Sequence, residues 1–124
     1  MRAQLGVVFV AVLAAAGCSS SSASQDTALC TSIVTDLAGS GLQGTPSQDQ
    51  ARQAGLHLDR RLTQVAKPTI HEAVIKLHTD LHRIEVLRKG GDAAGAAKAS
   101  ADARSDVDRL ARACGQPAST FLGS

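Results

Sequence analysis

Thr69-Ile70-His71-Glu72-Ala73-Val74-Ile75-Lys76-Leu77-His78-Thr79-Asp80-Leu81-His82-Arg83-Ile84 is the most strongly patterned stretch of this 124-residue chain. Its apolar residues Ile70, Val74, Leu77, Leu81 and Ile84 recur at alternating four- and three-residue steps. That spacing places them on one stripe of an α-helix. Thr69 and Glu72 have capping-box spacing at its start, and Gly90-Gly91 stops it. A helix with one apolar stripe has to bury that stripe against other elements, and the flanking sequence supplies helices to do so.

Upstream, Ala51, Gly55, Leu58, Leu62 and Val65 form the seam of a second helix. Thr45 as N-cap, Pro46 in the first turn and Gln48 three residues after Thr45 mark its expected start. Pro68 marks its expected end, because proline lacks the N–H that would continue the ladder and biases Lys67 away from helical angles. Further upstream, Leu29, Cys30, Ile33, Val34 and Leu37 predict a first helix ending at Gly39-Ser40-Gly41. Downstream, Asp92 caps a fourth helix with Ala96, Ala99, Ala103, Val107, Leu110 and Cys114 on one side, closed by Gly115 and Pro117. The first half of that helix is nearly all Ala, Gly and Ser, so it either packs closely on a neighbour or frays. Phe121 and Leu122 in the tail are placed to fold back. The expectation is an all-α, four-helix up-down-up-down bundle.

The N-terminus has a different character. Arg2 precedes a continuous apolar or small run from Leu5 to Ala16, too short to span a bilayer. It ends in Leu13-Ala14-Ala15-Ala16-Gly17-Cys18. Small residues at Ala16 and Gly17 give a peptidase access to the bond before Cys18, and only a thiol can take a thioether-linked diacylglyceryl group. These residues resemble the signal peptide and lipobox of a bacterial lipoprotein, departing from it at Ala15, where Leu is usual. With the polyserine run of residues 19–24 and the Ala, Gly, Asp and Arg bias, the chain resembles the small actinobacterial, mycobacterial-type lipoproteins. The resemblance implies a signal peptide over 1–17 and a lipidated Cys18 with a Ser-rich tether over 18–24, leaving a helical domain over 25–124. Cys18 would carry palmitate-type acyl chains, each buried CH₂ adding about 0.8 kcal/mol of anchoring. That places the chain on the extracytoplasmic face of the cell membrane. An ordinary secretory signal cut near Ala16 is the alternative, and both export the chain.

With Cys18 assigned to lipid, Cys30 and Cys114 remain as a pair in an oxidising compartment and are expected to form a disulfide. Two free thiols or a metal–thiolate site are the alternatives. In an up-down-up-down bundle the start of the first helix and the end of the fourth lie at the same end, which agrees with that pairing.

Composition excludes several functions. Formal net charge is +2, and one unit leaves with Arg2, so no basic field exists to recruit nucleic acid or anionic lipid. Trp and Tyr are absent and one of the two Phe residues, Phe9, belongs to the signal, which removes aromatic stacking platforms. No serine sits in a motif beside a histidine or carboxylate, and Asp106 and Asp108 point away from each other on a helix, so no enzyme chemistry is indicated. The i,i+4 pairs Glu72/Lys76, Glu85/Lys89 and Asp108/Arg112 read as a solvated surface.

Histidine forms the one constellation to test for chemistry, although a solvated or half-buried polar flank is the reading expected ahead of metal or haem binding. His71, His78 and His82 fall on one flank of the third seam, with Glu85 on the same side. His78 and His82 are one turn apart, close enough to share a zinc or copper ion, with Glu85 as a third ligand. His71 lies roughly 10 Å along the axis from His78, too far to join them. His57 matches His78 in height but faces the opposite flank of its own helix. The function expected is therefore a lipid-anchored, non-enzymatic binding or interaction module of the cell envelope. It has no cofactor and engages the membrane through Cys18 together with an envelope protein partner. The alternative is a zinc- or copper-handling protein using His78 and His82.

Overall fold

Pro68 opens the longest of the described helices in the computed structural model, which describes residues 24–64 and 67–123. Proline's fixed φ suits the first helical position, and Lys67 before it is held extended at ψ 143°. The described residues contain five helices and no strand: α1 (24–37), α2 (Gln48–Asp59), α3 (Pro68–Lys89), α4 (Ala93–Ala113) and α5 (Ala118–Leu122). The chain is thus all-α, with a single disulfide joining Cys30 to Cys114 across a sequence separation of 84. The signal sequence, Cys18 and most of the tether lie outside the described residues, as do Val65, Ala66 and Ser124.

The apolar stripe of α3 is buried as its spacing requires, with Ile70, Val74, Leu77, Leu81 and Ile84 at 2 % exposure or less. The helix packs more extensively on α4 than on α2. The Ala-rich half of α4 packs closely: Ala96, Ala99 and Ala103 are fully buried, and Ser100 beside them donates its hydroxyl hydrogen to the Ala96 carbonyl at 2.7 Å. Small side chains let the backbones approach, so dispersion contact between helices replaces the area that larger residues would bury. Asp92 caps α4 through the Gly95 N–H at 2.8 Å.

Both α3 and α4 end in Schellman motifs. Gly91 (φ 76°) and Gly115 (φ 68°) take the left-handed position that excludes a side chain cheaply. The following amides, Asp92 N–H to the Leu87 carbonyl and Gln116 N–H to the Ala111 carbonyl, close the rings at 2.9 Å each.

Several expectations need correction. There are five helices rather than four, because Pro117 starts a short α5 that inserts Phe121 into the core at 1 % exposure. The tail is fixed by the Gln43 side-chain amide, which donates to the carbonyls of Leu122 and Gly123. The N-cap of α2 is Ser47, in a capping box with Gln50, rather than Thr45 with Gln48. Arg88 explains the shift: its guanidinium takes the Pro46 and Thr45 carbonyls at 2.9 and 3.2 Å, holding both residues outside the helix. Thr69 and Glu72 form no capping box, because Pro68 already occupies the first helical position and Lys67 is the N-cap.

α2 stops at Asp59, well before Pro68. Beyond it the backbone tightens into i→i+3 bonds, Arg61 to Leu58 and Leu62 to Asp59, and the Arg61 guanidinium grips the buried Asp36 of α1 at 2.7 and 3.1 Å. A bidentate pair of this kind adds geometry as well as energy. The i,i+4 pairs read from sequence do not close. The ion pairs formed instead include Arg83–Asp102 across α3 and α4 at 3.7 Å and Arg109–Asp106 at 3.6 Å.

Closing so long a loop restricts the unfolded chain by about 4.5 kcal/mol in the chain-entropy account. Replacing both Cys30 and Cys114 by Ser is expected to lower unfolding free energy in urea by about that amount, and reduction of the native protein is expected to do the same.

Candidate functional site

The α3 seam has two flanks, and each faces a different neighbour. On the α2 side, Asp59, His78, His82 and Glu85 line one groove of about 250 Å³ with Gly55 and Leu56. The His78 imidazole Nε2 lies 3.6 Å from an Asp59 carboxylate oxygen, an ion pair when the ring is protonated. His82 Nδ1 lies 3.9 Å from Glu85 and is well exposed. The three residues read as a metal set therefore do share a groove, and Asp59 joins them. Among the described residues, however, no three His, Cys, Asp or Glu side chains converge as a metal-binding group. His71 stands outside this groove, and His57 lines a different depression with Asp36 and Gln53, as its azimuth required.

The α4 side holds a feature that residue types alone did not reveal. Asp80 of α3 and Asp106 of α4 are each only 8 % exposed, in a groove of about 490 Å³ that also contains Asp102. At 100° per residue Asp106 lies about 60° and Asp80 about 80° from the centre of its helix seam, at the edge of the arc that a packed helix buries. That placement was the available signal.

Two ionised carboxylates accept hydrogen bonds and donate none, so Asp80 Oδ2 has no partner. A proton held by one member of the pair supplies the missing donor. Accordingly, burial, then the hydrogen bond and charge of Asp106, then the charge of Asp102 push the Asp80 carboxyl up to about 7, while Arg83 works in the opposite direction. The remaining charged groups of this groove are Lys76 and Arg109. Chemically, the pair can hold or release a proton near neutrality. Thr79 and Ser105 line the same groove without a histidine beside them.

Farther toward the Cys114 end of the same α3–α4 interface lies a groove of about 410 Å³, with Ala73 and Ala113 in its floor and Lys76, Arg109 and Arg112 around it. None of the described helices is long and apolar enough to cross a membrane. The chain matches no protein-family model, no curated protein and no solved structure.

The carboxyl pair fixes the sign of a pH dependence. Asp80 binds a proton more tightly folded, at about 7, than at its ordinary value of 3.8. Its stabilising contribution is therefore complete below the lower value and lost as pH rises through about 7. Asp80→Asn donates a hydrogen bond to Asp106 at any pH. Compared with this variant, the wild-type protein is expected to lose stability as pH rises from 5 to about 7, at up to about 1.4 kcal/mol per pH unit for one proton, and to level off above that in urea titrations.

Proposed function

We propose that the chain is an exported, lipid-anchored helical module on the extracytoplasmic face of the cell membrane, working by binding rather than by catalysis. The observation that carries this reading is the Cys30–Cys114 disulfide. A structural disulfide suits an oxidising compartment, and it uses two of the three cysteines, leaving Cys18 over for lipid. The residues before Cys18, with their likeness to a lipobox, supply the export route and the attachment chemistry.

On this reading the four longer helices run up-down-up-down. Support comes from the contacts at both ends. At one end, Lys67 N–H meets the Asp26 carboxylate at 3.3 Å and Cys30 meets Cys114. At the other, Arg104 of α4 donates to the carbonyls of Leu42 and Gly44, and Arg88 at the end of α3 donates to those of Thr45 and Pro46. The tethered end is then the Cys114 end, and the grooves on either side of α3 are surfaces for a partner in the envelope.

The resemblance to small actinobacterial lipoproteins agrees with this reading in compartment. The shared groove of His78, His82, Glu85 and Asp59 favours a second reading, handling of zinc or copper.

Mass spectrometry of the N-terminal fragment from the membrane fraction is expected to show a diacylated, cleaved Cys18, and Cys18→Ser is expected to release the protein from that fraction. An unmodified Cys18 would sink the anchoring reading. Titration with zinc or copper, followed by NMR of the histidine side chains, is expected to give no saturable one-to-one shift. A joint shift of His78 and His82, abolished by replacing either with Ala, would put metal handling first.

A further inference from the structure

The groove nearest the Cys114 end of α3 and α4 has an apolar floor and a basic wall. The methyls of Ala73 and Ala113 form the floor, with Thr69 at one edge. Lys76, Arg109 and Arg112 line it against a single carboxylate, Glu72. Lys76 and Arg112 form no ion pair with any described residue, and Arg109 reaches only Asp106, at 3.6 Å. Cation-rich walls of this kind use the aliphatic stems of Lys and Arg to extend the apolar surface while their heads remain free for an anion. The guanidinium forks match phosphate oxygens in pairs.

Position selects the source of the anion. Ala113 immediately precedes Cys114, which is bonded to Cys30 of α1, and the start of α3 touches Asp26 near the beginning of α1. Cys18 is six peptide units from residue 24, a reach of roughly 20 Å at most. An anchor at Cys18 therefore keeps residue 24, at the start of α1, within roughly 20 Å of the bilayer surface.

We propose that this groove seats the phosphate headgroups of anionic phospholipids in the membrane that carries the Cys18 anchor, so that the domain rests on the bilayer by its α3–α4 side. The inference rests on the anchoring reading above. The chain's overall charge recruits no anionic lipid, so the attraction is local: Lys76 and Arg112 supply charge that has no ion-pair partner among the described residues, and Ala73 and Ala113 take the first carbons beyond the phosphate. Docked in this way, the domain turns its α2–α3 groove, with His78 and Asp59, away from the membrane and toward other envelope components.

The test uses the mature lipidated protein in nanodiscs, one set of phosphatidylcholine alone and one containing phosphatidylglycerol, each doped with a lipid bearing a paramagnetic headgroup. Methyl signals of Ala73 and Ala113 are expected to broaden on the anionic discs and far less on the neutral ones, while Leu56 on α2 stays sharp on both. Lys76→Gln with Arg112→Gln changes two exposed side chains and is expected to leave the melting temperature unchanged. It is expected to reduce the docked-to-undocked ratio about fivefold per cation removed.

Equal broadening on the two membranes, or broadening untouched by the double substitution, overturns the proposal. Inorganic phosphate alone shifting Ala73 and Ala113 saturably would assign the groove to a free anion and overturn the lipid source. The mass of the N-terminal fragment separates the two readings. Cys18 without lipid ends both, whereas lipid on Cys18 with composition-independent signals ends only this one.

Discussion

The covalent bond between Cys30 and Cys114 ties α1 to the end of α4 in a domain whose interior is built from Leu, Ile, Val and Ala with Phe121 as its one aromatic ring. A core of this kind buries modest area per residue, and a small domain has little margin between burial and chain entropy. Removing entropy from the unfolded chain compensates for what the alanines of α4 do not bury. That bond holds the last turn of α4, while its first half carries Ala96, Ala99 and Ala103 along the inner face, where small side chains let the helix backbones approach.

Close approach has an electrostatic consequence. Where α3 and α4 meet, Asp80 and Asp106 are pressed together with most of their surface removed from water. A pair of carboxylates in that position is stable when it shares one proton, so the same packing that holds the helices together makes their junction proton-sensitive. The ion pair of Arg83 with Asp102 lies beside the acid pair, while Arg109 reaches Asp106 itself from the rim at 3.6 Å. Guanidinium groups carry the rest of the polar framework: Arg61 on Asp36, Arg88 on the Thr45 and Pro46 carbonyls, and Arg104 on those of Leu42 and Gly44. Each satisfies groups that the connection between α1 and α2 or the end of α2 would otherwise leave unpaired.

Much of this was legible in the residues. The α3 stripe, the Asp92 cap, the glycine-terminated ends and the inward tail follow from spacing and turn chemistry that act within one helix turn. The histidine flank was legible as well, because azimuth around one helix is a local property. His78, His82 and Glu85 share a groove and His57 faces elsewhere. The start and end of α2 were not, since each is set by an arginine binding across the fold: Arg88 holds residues 45 and 46 outside the helix, and Arg61 unwinds its end to reach Asp36. The acid pair escaped for a similar reason. Asp80 and Asp106 each look like ordinary polar residues at the edge of an apolar stripe.

The sequence by itself determined that the chain is helical, where its apolar seams lie and which cysteines could pair once Cys18 is set aside, because hydrophobic periodicity and caps are properties of residues a few positions apart. Tertiary structure alone decided which flank of α3 meets which neighbour. That choice turns one edge aspartate into a buried proton site and leaves the lysine and arginines around Ala73 and Ala113 facing outward. The burial of a group at the margin of a stripe depends on how closely the next helix approaches, and that distance is set by side chains of a segment remote in the chain.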